Sequence, residues 1–187
     1  MSPLTFPLNT ERLELRPFVD GDLDALFAMQ NSEAMTRYLY WGPRSRDEVR
    51  EQLERIKVMT AIDESSDAIR LAAVLVAAPE VIGDISLRRT SREHAQGEIG
   101  YVIHPAHHGH GFATEACRSL LSYGFEEAGL HRIAATADAR NVASTRVMER
   151  LGMRREALLR ENEFVKGEWT DEAEYAILAS EWKARDG

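Results

Sequence analysis

The sequence has a single cysteine, no long apolar segment and a deficit of positive charge. Because Cys117 stands alone among 187 residues, no intrachain disulfide can form, which fits a reducing, cytoplasmic setting. The longest apolar stretch, residues 71–79, is too short to span a bilayer. With 23 Lys plus Arg against 31 Asp plus Glu, the net charge of -8 predicts no general affinity for nucleic acid or anionic membranes, and leaves room for a cationic partner.

The residues that are present predict one α/β (α+β) domain over 1–187, with its core at about 8–182. Hydrophobic residues make up 44% and charged residues 29%, enough apolar side chain for a packed core. Alternation, helical spacing and turn residues predict a mixed, mostly antiparallel twisted sheet of about six to seven strands flanked by about four helices. The predicted strands are 13–16, 69–77, 81–88, 99–103, 131–136, 154–164 and 169–178, and the predicted helices are 22–30, 45–59, 113–128 and 141–151.

The most informative segment is a glycine turn between the strand 99–103 and the helix that starts near Ala113. Gly109 and Gly111 lie in this turn. The first backbone N–H groups of a helix lack an internal acceptor, and glycines leave room for a ligand to approach them. This strand–helix–strand unit is therefore expected to bind a phosphate or diphosphate.

Three phosphate-binding patterns compete for the turn. A P-loop requires Lys and Ser or Thr after its last glycine, but Phe112 and Ala113 follow Gly111, which excludes it. A dinucleotide fingerprint requires Gly or Ala where Thr114 stands, and it prefers a parallel sheet, which disfavours it. In the third pattern, residues 108–113 resemble the acyl-CoA turn of the GNAT superfamily, (Gln/Arg)-x-x-Gly-x-(Gly/Ala), with matches at Gly111 and Ala113 and with His108 in place of Gln or Arg.

Five blocks in the same order resemble the RimJ/RimL-like branch of the GNAT superfamily, the ribosomal-protein N-terminal acetyltransferases. Together they cover nearly the whole chain, and they are residues 10–17, 98–103, 111–116, 141–153 and 180–182. The resemblance implies direct transfer of acetyl from acetyl-CoA to a primary amine, with no metal. It favours a protein or peptide α-amine as acceptor, with polyamines, amino acids or antibiotics as alternatives, and a monomer or homodimer.

Two other classes of function stay open from the sequence. One is a non-catalytic acyl-CoA-binding module, because the chain departs from the family pattern at His108 and at Met148, where many members carry a tyrosine. The other is a nucleotide-binding protein. Thiol release with a panel of amines separates the first from an enzyme, and a melting-temperature shift with CoA but not NAD or ATP excludes the second.

The resemblance also implies the residues that bind the co-substrate. Backbone N–H groups of the turn anchor the diphosphate, and an N–H on the strand 101–103 polarises the thioester carbonyl. Thr114 either helps to hold phosphate or only begins the helix, and Asn141 either binds the pantetheine arm or only caps a helix. The full predicted set is Tyr101, Val102, Ile103, His108, Gly109, His110, Gly111, Phe112, Ala113, Thr114, Asn141 and Ser144.

Two residues are predicted to be catalytic. Glu98 is the first candidate for the general base, directly or through water, unless it is simply an exposed residue at a strand end. Ser144 is predicted to relay a proton or hold a water at the leaving thiolate, unless it is an idle hydroxyl on a helix surface. Weaker candidates for the base are Glu33, His104 and Glu161.

The remaining polar and aromatic clusters are predicted to have modest roles. Tyr38, Tyr40 and Trp41 either line the acceptor groove or cap the core, and the resemblance favours the groove. The histidines at 104, 107, 108 and 110 match no familiar zinc spacing, so no metal site is expected. Cys117 shares a helical stripe with apolar residues, which predicts a core position rather than a nucleophile.

Overall fold

A computed structural model of the protein describes residues 5–185. Nine strands and six α-helices lie in that part of the chain. The strands are β1 (Leu8–Asn9), β2 (Leu13–Pro17), β3 (Thr60–Ile62), β4 (Asp67–Leu75), β5 (Val81–Ser91), β6 (Gln96–Ile103), β7 (Arg132–Asp138), β8 (Arg154–Val165) and β9 (Glu168–Leu178). The helices are α1 (Leu23–Ala28), α2 (Glu33–Thr36), α3 (Arg46–Ile56), α4 (Phe112–Ser122), α5 (Val142–Arg150) and α6 (Ala179–Lys183).

The strands form one open, mixed sheet in the order β1-β2-β4-β5-β6-β7-β9-β8, with β3 paired to β4. Between residues 5 and 185, β6 with β7 is the parallel pair and every other pair is antiparallel. The mostly antiparallel α/β fold is therefore confirmed, as is the strand–helix–strand unit β6-α4-β7. Two strands beyond the expected number, β1 and β3, have two and three residues, too few for a repeating pattern.

The strands β6 and β7 separate soon after they meet. They pair at three positions, Gln96–Glu98 against Arg132–Ala134, whereas β7 pairs with β9 along its whole length. Beyond Glu98, no strand within residues 5–185 pairs with the edge of β6 that faces β7. This gap between β6 and β7 is called the strand fork below. The backbone N–H predicted to polarise the thioester carbonyl, within residues 101–103, lies along it.

Helices cover both faces of the sheet. The larger core packs α4, α5 and α6 against one face, and includes the fully buried Cys117 as predicted. The smaller core packs α1 and α3 against β4 on the other face. Burial raises the pKa of the Cys117 thiol, so the thiol stays protonated and unreactive.

Local sequence signals correctly predicted the start of α3 and the end of α5. Ser45 and Glu48 form the predicted capping box at the start of α3, with the Ser45 N–H donating to Glu48 Oε2 at 2.8 Å. Gly152 follows α5 with φ of +81°, a left-handed conformation that glycine adopts freely. The helix predicted over 113–128 is divided, because α4 continues into a π-helical turn, Tyr123–Glu127, before Gly129 at φ +68°.

Candidate active site

The glycine turn leads directly into the N-terminus of α4. After β6 a short 3-10 turn, Pro105–His107, redirects the chain, and Gly109 and Gly111 then adopt φ of +80° and +83°. A β-carbon at Gly109 would meet no atom within 4 Å, so the turn is open on this side. Gly111 is the N-cap of α4, and its left-handed backbone explains why glycine is required there.

Several hydrogen-bonding groups at this turn have no acceptor inside the helix. The first hydrogen bond of α4 runs from the Glu115 N–H to the Gly111 carbonyl at 3.0 Å, so the N–H groups of residues 112–114 precede it. Thr114 Oγ1 is buried and has no partner in residues 5–185. An orphaned hydroxyl beside unpaired amides fits an anionic oxygen, so these groups suit the diphosphate of coenzyme A.

The histidines of this segment make structural contacts. The His108 ring bonds the Ile103 carbonyl through Nε2 at 2.7 Å, which fastens the turn to the end of β6. His110 stacks on Phe112, with ring centroids 5.8 Å apart, and His104 Nδ1 accepts the Ala106 N–H at 3.3 Å. In the part of the chain that the structure describes, no group of three or more His, Cys, Asp or Glu side chains is placed to hold a metal ion.

The edge of β6 that faces the fork carries backbone donors that pair with no strand in the described part of the chain. The His104 N–H bonds the Ile82 carbonyl at 2.8 Å, toward β5. Because backbone groups alternate sides along an antiparallel strand, the N–H groups of Tyr101 and Ile103 point the other way, toward the fork. The contact between His108 and the Ile103 carbonyl agrees with that direction. The donors predicted within 101–103 thus reach the gap between β6 and β7.

Helix α5 brings Asn141 and Ser144 to the same region. Asn141 is the N-cap, and its Oδ1 accepts the Ser144 N–H at 3.1 Å, which leaves its NH₂ group as the donor for a ligand. Tyr101 reaches across from β6, and its hydroxyl lies 2.9 Å from both Ser144 Oγ and the Ser144 carbonyl. Burial raises the pKa of Tyr101, so the phenol keeps its proton and acts as a donor.

An acidic cleft of about 550 Å³ lies beside the fork. It lies on the sheet face opposite α4, because its lining residues Ala134 and Thr136 alternate along β7 with Ile133 and Ala135, which belong to the core that includes α4. Glu98, the last position of β6 that pairs with β7, contributes to the wall of the cleft, and its carboxylate lies 2.6 Å from the Arg88 guanidinium. The cleft is lined by Tyr40, Thr90, Gly97, Glu98, Arg132, Ala134, Thr136, Glu163, Glu172 and Glu174. Four of these side chains are carboxylates, and the single cation among them, Arg132, pairs with Glu156 at 2.5 Å.

The structure brings one of the three predicted acceptor residues into this cleft. Tyr40 lines it and donates its hydroxyl to Glu172, and burial together with that carboxylate raises the Tyr40 pKa. Tyr38 and Trp41 are outside the lining, and Trp41 stacks under the Arg44 guanidinium at 4.0 Å. The weaker base candidates Glu33, His104 and Glu161 also fall outside the lining.

Sequence reasoning missed the acidic residues of the β8–β9 hairpin. Glu172 and Glu174 stand two apart on β9, so both face the cleft, and Glu163 joins them from β8. The spacing of Glu172 and Glu174 was the available signal. That spacing predicts that the two side chains share one face of a strand. The face lies at the cleft only because β9 inserts between β7 and β8, and no local pattern predicts that insertion.

The open glycine turn, the strand fork and the adjacent cleft together define an acyl-CoA-dependent transferase. The profile of the acetyltransferase (GNAT) domain family matches residues 12–154. The chain belongs to the GNAT family of N-acetyltransferases, which confirms the resemblance seen in the sequence, and acetyl-CoA is its co-substrate.

Individual relatives extend this similarity over most of the chain. The uncharacterized N-acetyltransferase YoaA of Bacillus subtilis is 33% identical over 174 residues, covering 92% of this chain and 97% of YoaA. YdaF of Bacillus subtilis, provisionally named a ribosomal N-acetyltransferase, is 31% identical and covers 88% of each chain. The solved spermidine N-acetyltransferase of Vibrio cholerae, in complex with CoA and spermine, is 25% identical with a TM-score of 0.79, covering 93% of this chain and 99% of its own.

Proposed function

We propose that this enzyme acetylates a primary amine on a cationic acceptor that binds in the acidic cleft. The observation that carries the proposal is the four-glutamate wall beside the strand fork. Carboxylates attract ammonium groups, and a partly enclosed cleft strengthens that attraction relative to bulk water. The cleft thus selects positively charged molecules at the place where β6 offers its free backbone donors.

The co-substrate is proposed to enter from the side of α4. The turn amides from Gly109 to Thr114 hold the diphosphate, with the Thr114 hydroxyl as a further donor. The pantetheine arm then runs into the fork between β6 and β7, where the Asn141 NH₂ group binds its amides. This path delivers the thioester to the edge of the cleft.

Acetyl transfer is proposed to occur in one direct attack. The amine nitrogen attacks the thioester carbonyl, whose oxygen gains negative charge and is held by an N–H of Tyr101 or Ile103. Removal of one such donor costs roughly 3 kcal/mol in enzymes generally. The tetrahedral adduct then expels the CoA thiolate, and its nitrogen loses a second proton to solvent or to the thiolate, which leaves the neutral amide product.

Glu98 is proposed as the group that takes the proton from the amine. It marks the position where β6 and β7 part, and it lines the cleft. An ammonium ion has no lone pair, so transfer of its proton to the Glu98 carboxylate, directly or through water, must precede or accompany attack. The ion pair with Arg88 keeps that carboxylate in place.

Ser144 is proposed to donate a hydrogen bond to the departing thiolate. The Tyr101 hydroxyl lies within hydrogen-bond distance of the Ser144 carbonyl and of Ser144 Oγ, and by donating to Oγ it leaves the single serine proton for the thiolate. Met148 fills the place of the family's frequent tyrosine and is buried at 1% exposure, so it has no part in proton transfer. The thiolate then takes a proton that the amine nitrogen or solvent supplies, and the Ser144 hydroxyl relays it only if it receives one proton as it gives the other.

Two kinds of cationic acceptor suit the cleft. The sequence favours the α-amine of a peptide or protein, and the relative YdaF is provisionally named for a ribosomal activity. The glutamate wall favours a polyamine, and the Vibrio cholerae relative was solved with spermine. A basic peptide and a polyamine share the same chemistry, a primary amine with further positive charge beside it.

Thiol release with acetyl-CoA tests the proposal. The acceptors are a basic peptide with a free N-terminus, the same peptide with its N-terminus blocked, spermidine, and an alkyl monoamine that carries no second charge. We expect turnover with the free peptide or spermidine and little with the monoamine. Glu172→Gln/Glu174→Gln should raise the KM of the acceptor and leave that of acetyl-CoA unchanged, whereas the exposed Glu126→Gln should change neither.

Saturable CoA binding without thiol release from any amine would instead identify a non-catalytic acyl-CoA-binding module. Within residues 5–185 no helix is long and apolar enough to cross a membrane. We also propose a cytoplasmic location, because the lone Cys117 thiol is unpaired and needs no oxidising compartment. Whether the enzyme acts as a monomer or a homodimer remains a prediction that size measurements in solution will test.

A further inference from the structure

Arg12, the residue just before the second strand, contacts the glycine turn and the first turn of α4. Arg12 precedes β2 and lies about a hundred residues from the turn in sequence. Its Nη1 donates to the His110 carbonyl at 3.0 Å, and its Nε donates to Glu115 Oε2 at 2.8 Å. These two contacts fall on either side of Gly111 in the sequence, so one guanidinium bridges across the N-cap residue of α4.

The carboxylate of Glu115 is held by more than this guanidinium. The Arg12 backbone N–H donates to Glu115 Oε1 at 2.8 Å, and the Thr10 hydroxyl donates to the same oxygen at 2.6 Å. Burial opposes ionisation of Glu115, but these hydrogen bonds outweigh it, and the pKa of the carboxyl is lowered. Glu115 is therefore a fixed negative charge in the first turn of α4.

A fixed carboxylate at this place works against a bound diphosphate. The turn amides attract anions, whereas a like charge nearby repels them. The Arg12 Nη2 lies 2.6 Å from Glu115 Oε2, and the guanidinium covers the Phe112 ring at 4.6 Å. The Arg12 guanidinium thus neutralises the negative charge of Glu115 beside the turn.

We propose that Arg12 is a positioning residue of the diphosphate site, which fixes the turn around Gly111 and neutralises Glu115. The proposal rests on the proposed function, because it assumes that the turn amides hold the diphosphate of coenzyme A. Gly109 and Gly111 give the turn wide conformational freedom, so a tether on the His110 carbonyl keeps its amides directed at the ligand.

The test compares acyl donors that keep or lack the diphosphate. The readout is kcat/KM with acetyl-CoA, with acetyl-dephospho-CoA, which lacks the 3′-phosphate, and with S-acetylpantetheine, which lacks the whole nucleotide. In Arg12→Gln we expect kcat/KM to fall about tenfold with both nucleotide-bearing donors, the scale of one partly screened charge contact. With S-acetylpantetheine we expect a change of less than about twofold, because that donor never reaches the turn.

Two further variants separate charge from geometry. Arg12→Gln/Glu115→Gln removes both charges and should regain part of the lost kcat/KM with acetyl-CoA. Arg12→Lys keeps the charge but cannot make both contacts, so its kcat/KM with acetyl-CoA should lie between the values of wild type and Arg12→Gln. The same variant tests the proposal if Arg12→Gln fails to fold. The matched control is Arg16→Gln on β2, which loses an equivalent pair with Asp22 at 2.7 Å and should keep the wild-type preference among donors.

Each contrary outcome has a distinct meaning. Equal losses with all three donors would overturn the proposal and assign Arg12 a general structural role. A loss confined to acetyl-CoA would place Arg12 at the 3′-phosphate instead, and no loss would exclude any role. A wild-type enzyme that uses S-acetylpantetheine as well as acetyl-CoA would contradict the diphosphate site itself, independently of Arg12.

Discussion

Replacement of Gly111 by alanine isolates the contribution of the turn amides. Gly111 has φ of +83°, and a β-carbon there would meet Arg12 Nη2 at 3.7 Å, an ordinary contact. Space is therefore available, and the substitution acts through backbone conformation. An alanine in the left-handed region is strained, so the chain at the start of α4 will rotate to relieve that strain.

The magnitude follows from the strain and from the hydrogen bonds that it disturbs. Left-handed backbone costs a non-glycine residue about 1–2 kcal/mol, which lowers the melting temperature of a chain of this size by roughly 2–8 °C. Each hydrogen bond to a charged ligand contributes about 1.5–3 kcal/mol, so misdirection of one amide raises the KM of acetyl-CoA roughly 10- to 100-fold.

The matched control is Gly129→Ala. Gly129 has φ of +68°, a β-carbon there would meet no atom within 4 Å, and it follows the far end of α4. Thermal unfolding and steady-state thiol release on both variants should show similar losses of melting temperature, with a raised KM for acetyl-CoA in Gly111→Ala alone. Equal KM values in the two variants would refute the role of the turn amides.

Three further predictions concern α5 and the loop before it. Asn141→Ala should raise the KM of acetyl-CoA about tenfold, the effect of about one hydrogen bond in steady-state kinetics; an unchanged KM would leave Asn141 as a helix cap alone. Ser144→Ala should lower kcat, and Tyr101→Phe should lower it in wild type but not further in Ser144→Ala; additive losses would show that the two hydroxyls act separately. The Asp138 carboxyl is buried, which opposes ionisation, but Arg140 outweighs this and lowers its pKa. The lowered pKa stabilises the fold fully above the ordinary aspartate pKa of about 3.9, and this contribution is lost as pH falls below that value through the lower native pKa. Arg140→Gln should therefore lose less stability than wild type in denaturant unfolding as pH falls from about 5 to about 2, and parallel curves would contradict this.

The sequence predicted those features that local chemistry controls. The turn before α4 was visible because positive φ favours glycine, as at Gly109 and Gly111. The start of α3 was visible because Ser45 and Glu48 satisfy the first amides of the helix. The continuation of α4 into a π-helical turn carries no such residue signal, and the helix was predicted as one piece.

The acidic cleft depended on topology that local patterns do not carry. Glu172 and Glu174 lie at the fork because β9 pairs with β7 on one side as well as with β8 on the other. That strand order depends on the packing of the whole sheet. Tyr40 was predicted to face the acceptor, and it lines the cleft, whereas its neighbour Trp41 is drawn away to stack on Arg44. Tyr40 and Trp41 are adjacent aromatic residues, and no feature of the local sequence predicts that their environments differ.

Backbone NMR during titration with CoA tests the central claim most directly. The claim predicts that the amide resonances of Gly109, Gly111, Phe112, Ala113 and Thr114 shift with CoA and reach saturation together. Pantetheine, which lacks the diphosphate, should instead shift resonances at the β6–β7 fork and leave the turn unchanged. Saturation with CoA that moves the fork but not the turn would contradict the account.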